Sequence, residues 1–283
     1  MKTVVFAAAL MAIIVGAADK CGPTIAAGGL LHPAKRTALP AVPSQCAERE
    51  FAGSGVTLRG WSCGADGARR GTIVYLHGIA DNRGSGVGTI RRFTAQGFDV
   101  VAYDSRAHGL SEGETCTYGY FEKADLGRVM DTLPEGPVIL IGTSLGAAVA
   151  LQAAALDPRV SGVIAAEVFS DLETVARDRA PFFLTDRTIR KAFVVAEERG
   201  SFHVADVSPV EAARHIRVPV LFIHGAADTE TAPAHSVRVL GALAGPKRLI
   251  LVEGAGHNRS LSDPAVWIEI DTWLSTLSPL RSP

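Results

Sequence analysis

The sequence predicts an α/β protein built on a parallel β-sheet with helices on both faces. Six short apolar runs alternate with helix-length segments, which is the pattern of repeated strand–helix units. The runs are apolar almost throughout rather than at every second residue, as expected for strands covered on both faces. A functional site on such a sheet is expected at the carboxyl ends of its strands. The runs occupy residues 72–76, 98–103, 138–141, 160–166, 218–223 and 248–252.

The first 18 residues have the composition of a secretory signal peptide. An uninterrupted apolar run covers residues 4–18 and is too short for a standard membrane span. Cleavage after its final alanines would give an exported protein, periplasmic or secreted, with no stable membrane insertion; an uncleaved signal anchor is the alternative. A lipid anchor at Cys21 is disfavoured because two charged residues precede it. Residues 19–45 are predicted to be an extended linker to the main domain, residues 46–283.

Two predicted strands join around the Gly-Ser-Gly segment at residues 53–55 and should form an antiparallel hairpin. Residues equidistant from the midpoint between Ser54 and Gly55 face each other in such a hairpin, and Cys46 and Cys63 are equidistant from that point. Because export permits disulfides, the sequence predicts a bridge between Cys46 and Cys63. The pairing of Cys21 and Cys116 stays open.

A G-x-S-x-G pentapeptide occupies residues 142–146, between an apolar run and the helix-like segment 147–155. This is the pattern of a nucleophile elbow, in which a tight strand-to-helix turn exposes the serine hydroxyl above the sheet. The glycines on either side allow neighbouring backbone to pass close to the strained residue. Ser144 is therefore the candidate nucleophile, and a glycine-rich turn without chemistry is the alternative.

A serine hydroxyl needs a base and an orienting acid before it can attack a carbonyl. His257 lies in a glycine-rich loop after the last apolar run and is the candidate general base. Asp228 follows the preceding run and is the candidate acid. The resulting chain order of serine, acid and histidine is typical of a nucleophile elbow protein. Glu167 and Asp171 are the competing acids.

An oxyanion hole requires backbone N–H groups directed at the developing negative charge. One is expected from Leu145, directly after the candidate serine. The other is expected from Ile79, in the loop that follows the first run of the parallel sheet. His77, at the start of that loop, is interpreted as ordering the loop by hydrogen bonding rather than as a second base.

Further segments resemble the α/β-hydrolase superfamily. Residues 104–111, D-S-R-A-H-G-L-S, are similar to its D-x-R-G-H-G-x-S segment, with Ala107 in place of a glycine. Residues 118–126 and 224–228 resemble the single-domain branch that includes acyl thioesterases and prolyl-oligopeptidase-related hydrolases. The resemblance runs from about residue 48 to residue 277. It implies an eight-stranded, mostly parallel sheet and hydrolysis of an ester, thioester or amide, but it does not name a substrate.

A longer segment, residues 167–217, lies where this fold accepts an insertion between its sixth and seventh strands, and it predicts a small helical cap. Its aromatic side chains are interpreted as fixing the cap to the sheet, and an acyl or aromatic pocket is the alternative. These side chains are Phe169, Phe182, Phe183, Phe193 and Phe202.

Composition restricts the remaining function classes. The net charge of −1 gives no reason to expect a nucleic acid or an anionic membrane as a partner. The eight histidines form no metal-ligand pair and no dinucleotide-binding motif follows the first strand, so neither metal nor cofactor is predicted. Asp104 is interpreted as a loop organiser because serine occupies the nucleophile position.

The sequence as a whole predicts a serine hydrolase that cleaves a small-molecule carboxylic ester or thioester through an acyl-enzyme at Ser144. A serine peptidase and a non-catalytic binding protein on a hydrolase scaffold are the alternatives. The oligomeric state is not predicted.

Overall fold

The computed structural model describes residues 21–277 and contains an eight-stranded β-sheet. Its strands are β1 (Cys46–Ala52), β2 (Thr57–Cys63), β3 (Gly71–Leu76), β4 (Phe98–Tyr103), β5 (Val138–Thr143), β6 (Val160–Ala166), β7 (Val220–Gly225) and β8 (Lys247–Val252). Their order across the sheet is β1-β2-β4-β3-β5-β6-β7-β8. β2 runs antiparallel to both of its neighbours, and every other pair is parallel. The predicted fold class is therefore confirmed.

Helices cover both faces of this sheet. They are α1 (21–31), α2 (Val87–Thr94), α3 (Glu122–Met130), α4 (Leu145–Ala154), α5 (Leu172–Asp178), α6 (Asp186–Gly200), α7 (Pro209–Ala213), α8 (Ala234–Ala242) and α9 (Pro264–Thr276). Ile73 and Tyr75 of β3 pack in the core beneath α2 and α9. Val74 and Leu76, which alternate with them, pack in the core beneath α3, α4, α7 and α8. Burial on both faces explains why the central strands β3, β5, β6 and β7 are apolar almost throughout. The edge strand β8, predicted as another such strand, is instead partly exposed.

The centre of the sheet positions the candidate site. β3 lies between β4 and β5, so the chain leaves β3 on one side and later returns on the other. Loops at such a reversal diverge and leave a crevice at the carboxyl ends of the strands. The loops after β3 and β5, which carry Ile79 and Ser144, meet at this crevice.

The beginning of the described chain differs from the prediction. Residues 21–31 form helix α1 rather than part of an extended linker, and only residues 32–43 lack regular structure. Ala27 and Leu31, four residues apart, lie on one helical face and are fully buried. Two further contacts fix the end of α1, since Tyr118 Oη donates to Leu30 O at 3.0 Å and Cys116 N donates to Leu31 O at 2.8 Å. Tertiary packing outweighs the weak helix propensity of the glycines and proline here. The predicted signal peptide, residues 1–18, lies outside the described residues.

The amino-terminal hairpin has the predicted register. Cys46 of β1 lies directly opposite Cys63 of β2, and a disulfide joins them. Cys21 is exposed and Cys116 is buried, and both are free thiols.

The segment between β6 and β7 contains α5, α6 and α7. Ser208 caps α7, where its hydroxyl accepts a hydrogen bond from Glu211 N at 3.2 Å. No helix within residues 21–277 is long and apolar enough to cross a bilayer.

Candidate active site

Ser144 occupies the turn between β5 and α4. Its backbone has φ 49° and ψ −111°, a strained conformation for a residue other than glycine. A Cβ on Gly142 would stand 2.3 Å from Gly146 C, and a Cβ on Gly146 would stand 2.2 Å from Leu76 O. Both glycines are therefore required by close backbone approach, as the pentapeptide spacing predicts.

The structure brings Ser144, His257 and Asp228 into hydrogen-bond contact. His257 Nε2 lies 3.1 Å from Ser144 Oγ, and His257 Nδ1 lies 2.7 Å from Asp228 Oδ2. Since a carboxylate only accepts, Nδ1 carries the proton and Nε2 presents a lone pair to the serine hydroxyl. This is the arrangement in which an imidazole can remove the serine proton.

The two oxygens of Asp228 have separate partners. Oδ1 accepts hydrogen bonds from Glu230 N and Thr231 N, both at 2.9 Å, while Oδ2 faces His257. Loop capping and histidine orientation are thus combined in one side chain.

A second histidine, His224, supports the carboxylate. Its Nε2 donates to Thr231 O at 2.7 Å and lies 3.3 Å from Asp228 Oδ2. Burial alone would raise the pKa of Asp228, but hydrogen bonds from His224 and His257 and from Thr231 N lower it below its ordinary value. Asp228 is therefore held as a carboxylate. His224 lies in the segment 224–228 that resembles the superfamily, but the sequence predicts no role for it.

The competing acids contact other groups. Glu167 Oε1 accepts from Ser260 N and Ser260 Oγ, at 3.1 and 2.7 Å. Asp171 caps α5 by accepting from Thr174 N at 2.7 Å. Neither carboxylate contacts His257.

The two predicted oxyanion donors, Ile79 and Leu145, border the same cavity as Ser144. Within residues 21–277, neither backbone N–H donates to a turn carbonyl or a side chain. His77 lies behind their loop, fully buried, with Nδ1 donating to Gly78 O at 2.7 Å and Nε2 accepting from Ser105 N at 3.0 Å. These contacts agree with the interpretation of His77 as a residue that orders the loop.

The segment with the substituted glycine retains a left-handed turn. Ala107 has φ 61°, a value that glycine adopts more easily. Beside it, the buried carboxylate of Asp104 accepts from Arg83 N at 2.7 Å, from the Arg83 guanidinium at 2.5 Å and from Leu110 N at 2.8 Å. Asp104 thus organises two loops, as predicted.

A cavity of about 830 Å³ opens beside Ser144. Its walls are almost entirely apolar and come from α1, from α5 and α6 of the cap, and from the loops after β3 and β5. Phe169, Phe183 and Phe193 border it, whereas Phe202 is buried against Tyr120 and Phe182 is fully exposed. Three of the five phenylalanines therefore line the pocket, and Phe202 has the structural role.

A second cavity of about 590 Å³ shares Ile79 with the first. Its lining is more polar and includes Thr143 and Asn258, the chain neighbours of Ser144 and His257. The candidate serine thus borders the apolar cavity, and the more polar one lies beyond Ile79.

Arg179, at the end of α5, is a second site residue that the sequence does not predict. Its Nη2 lies 3.3 Å from His257 Nε2 and 2.6 Å from Thr231 Oγ1. No local motif identifies it, because the contact joins residues 78 positions apart.

Another Ser–His–Asp arrangement occurs beside α5. Ser170 Oγ lies 2.9 Å from His235 Nδ1, and His235 Nε2 lies 3.1 Å from Asp178 Oδ2. Arg238 Nη2 donates to the same Nδ1 at 2.7 Å, and Ser170 is fully buried away from the large cavity. This cluster fastens α5 to α8 and leaves no lone pair for proton transfer.

Among residues 21–277, no group of three His, Cys, Asp or Glu side chains is arranged to hold a metal ion.

The structure is an α/β fold with a crevice at the carboxyl ends of its strands. A serine, a histidine and an aspartate meet in this crevice, as in a hydrolase-type site. Residues 71–200 match the family model described as the alpha/beta hydrolase fold. YqkD of Bacillus subtilis is 31% identical over 67% of this chain, which spans 65% of that relative's length. YfhR of Escherichia coli is 27% identical over 80% of this chain and 79% of its own. The chain therefore has the α/β-hydrolase fold.

Solved structures of similar fold include two from archaea. The Pyrococcus furiosus esterase Pf2001 superimposes with a TM-score of 0.70 at 20% identity, over 87% of this chain and 98% of its own. The acylaminoacyl peptidase of Pyrococcus horikoshii gives 0.64 at 14% identity, over 84% of this chain and 42% of its own. At these identities the likeness concerns the fold alone.

Proposed function

We propose that this protein hydrolyses carboxylic esters or thioesters through an acyl-enzyme formed on Ser144. The observation that carries the proposal is the hydrogen-bonded series from Asp228 Oδ2 through His257 to Ser144 Oγ, at 2.7 and 3.1 Å, beside an apolar cavity. A 34% identity over 108 residues to the 2-(acetamidomethylene)succinate hydrolase of Mesorhizobium japonicum supports hydrolysis as the reaction class.

The reaction begins when Ser144 Oγ attacks the acyl carbonyl and His257 Nε2 takes the hydroxyl proton. The carbonyl oxygen becomes an oxyanion, which accepts hydrogen bonds from the N–H groups of Ile79 and Leu145. A donor of this kind is commonly worth about 3 kcal/mol in the transition state. The imidazolium then protonates the leaving alcohol or thiol, and the acyl group remains on Ser144.

Water completes the cycle. His257 removes a proton from the water, which attacks the acyl-enzyme carbonyl, and the proton passes to Ser144 Oγ as the acid product leaves. Asp228 stays ionised and stabilises the imidazolium in both steps. The apolar cavity would hold the acyl chain, and the polar cavity beyond Ile79 would receive the alcohol or thiol side.

Labelling with a fluorophosphonate tests this proposal. The wild-type protein should be modified at Ser144, identified by peptide mass spectrometry, and Ser144→Ala should abolish labelling. Ser170→Ala is the matched control, because Ser170 also contacts a histidine, and it should label like the wild type. Folded protein that fails to label, or that labels at Ser170, would refute the assignment. Comparing a panel of acyl esters with aminoacyl amides then separates an esterase from a peptidase.

A further inference from the structure

Arg179 is the one charged side chain among the described residues that line the large apolar cavity. It lies at the end of α5, at the rim, and its side chain is exposed to solvent. A cation at the rim of a cavity that has no other charged lining residue among those described gives that cavity a preference for anionic groups.

The guanidinium contacts only neutral acceptors. Arg179 Nε donates to Glu230 O at 2.9 Å, and Nη2 contacts Thr231 Oγ1 and His257 Nε2. Within residues 21–277, no carboxylate lies within ion-pair distance of it. Its neighbours differ: Arg177 pairs with Glu173 and Asp186, and Asp178 contacts His235.

The contact with His257 has a consequence for the proposed reaction. Nε2 of a neutral imidazole has one lone pair, and the Arg179 guanidinium and the Ser144 hydroxyl both direct a donor at it, from 3.3 and 3.1 Å. An N–H that occupies this lone pair keeps it from accepting the serine proton. A ligand that draws the guanidinium towards itself would free Nε2 for Ser144.

We infer that Arg179 is a specificity-determining residue that binds a carboxylate carried by the substrate a few bonds from the scissile ester. This inference rests on the proposed function. The guanidinium and the serine hydroxyl contact the same nitrogen, so one small molecule can reach both. A half-ester of a short dicarboxylic acid fits this spacing when the carboxylate is on the acyl side, and an ester of a hydroxy acid fits it on the leaving-group side.

Paired substrates that differ only in charge test the inference. The acyl-side pair is monoethyl succinate and its neutral counterpart ethyl levulinate. The leaving-group pair is O-butyrylglycolate and acetol butyrate. Initial rates followed in a pH-stat give kcat/KM for the wild type, Arg179→Gln and Arg179→Lys. Arg187→Gln is the matched control, since it removes one exposed positive charge from the same cap without touching the cavity lining.

We expect the wild type to prefer the anionic member of one pair, and the pair concerned identifies the side that carries the carboxylate. Arg179→Gln should lower kcat/KM for that anionic ester at least tenfold, because a charge-assisted hydrogen bond is lost. It should accelerate hydrolysis of the neutral ester, since Nε2 is released. Arg179→Lys should recover part of the preference, and Arg187→Gln should retain all of it.

Two results separate failure of the inference from failure of the proposed function. If the esters are hydrolysed but Arg179→Gln changes both members of each pair equally, the inference is wrong and the hydrolase proposal stands. If no ester is hydrolysed, the proposed function is wrong for these substrates. Calorimetric binding of the four esters to Ser144→Ala then decides the role of Arg179. Equal binding with and without Arg179→Gln overturns the inference, and a tenfold loss for an anionic ester supports it.

Discussion

Replacing Asp228 with asparagine should abolish most activity while preserving the fold. The two backbone N–H groups at 2.9 Å require an oxygen at the Oδ1 position, so the amide must place its NH2 group where Oδ2 now faces His257 Nδ1. An NH2 group donates, and Nδ1 must then accept. The imidazole proton moves to Nε2, which donates to Ser144 instead of accepting its proton. The wrong tautomer typically lowers kcat about 10⁴-fold, or about 5 kcal/mol in transition-state stabilisation.

The assay is kcat on an acyl ester that the wild type hydrolyses, together with the rate of fluorophosphonate labelling, at pH 7. Near-ultraviolet circular dichroism checks that Asp228→Asn is folded. The competing acids provide controls: Asp171→Asn keeps a good helix cap, and Glu167→Gln keeps an oxygen for Ser260. Both controls should retain activity within a few-fold of the wild type. Activity of Asp228→Asn within tenfold of the wild type, or an equal loss in either control, would refute the reasoning.

Two further predictions concern a glycine of the elbow and a buried histidine. Gly146→Ala should destabilise the protein by about 1–3 kcal/mol, because its Cβ would stand 2.2 Å from Leu76 O; urea unfolding and esterase assays should show losses of stability and activity. Gly127→Ala, in helix α3 with no described atom within 4 Å of the new Cβ, should instead stabilise by up to about 1 kcal/mol, and the reverse ranking would contradict the close-approach argument. Burial of the ring, with the nearby His77, lowers the pKa of His108 from 6.5 to about 4, so the unfolded chain binds the proton first as the pH falls. The free energy of unfolding should therefore decrease between pH 6.5 and pH 4, and His108→Asn should reduce this slope by up to about 1.4 kcal/mol per pH unit; an unchanged slope in urea titrations would show that His108 does not titrate there.

Features that depend on local geometry could be predicted from the sequence. The elbow is fixed by glycines two residues from Ser144, and the hairpin register by equal distances from the midpoint between Ser54 and Gly55. Helix α1 could not be predicted in this way, since its glycines and proline disfavour a helix in isolation. What stabilises α1 is burial of Ala27 and Leu31 against a core assembled from distant segments.

The site residues whose roles depend on non-local contacts could likewise not be predicted from the sequence. His224 lies near the end of β7, and its role depends on Thr231 O and Asp228 lying beside it after folding. Arg179 has even less local signal, because an arginine near a helix end is ordinarily explained by the helix dipole.

The two Ser–His–Asp clusters illustrate why composition and proximity do not suffice to identify a catalytic site. In both, a serine hydroxyl contacts one imidazole nitrogen and an aspartate contacts the other. At His235, Arg238 donates to the nitrogen beside the serine from 2.7 Å, and no substrate can reach Ser170 to displace it. At His257, the corresponding arginine stands at 3.3 Å, on the rim of a cavity large enough for an acyl chain. Arg238 therefore blocks His235 permanently, whereas an anionic ligand can draw Arg179 away from His257. Access of a ligand to the arginine is the property that distinguishes the two clusters.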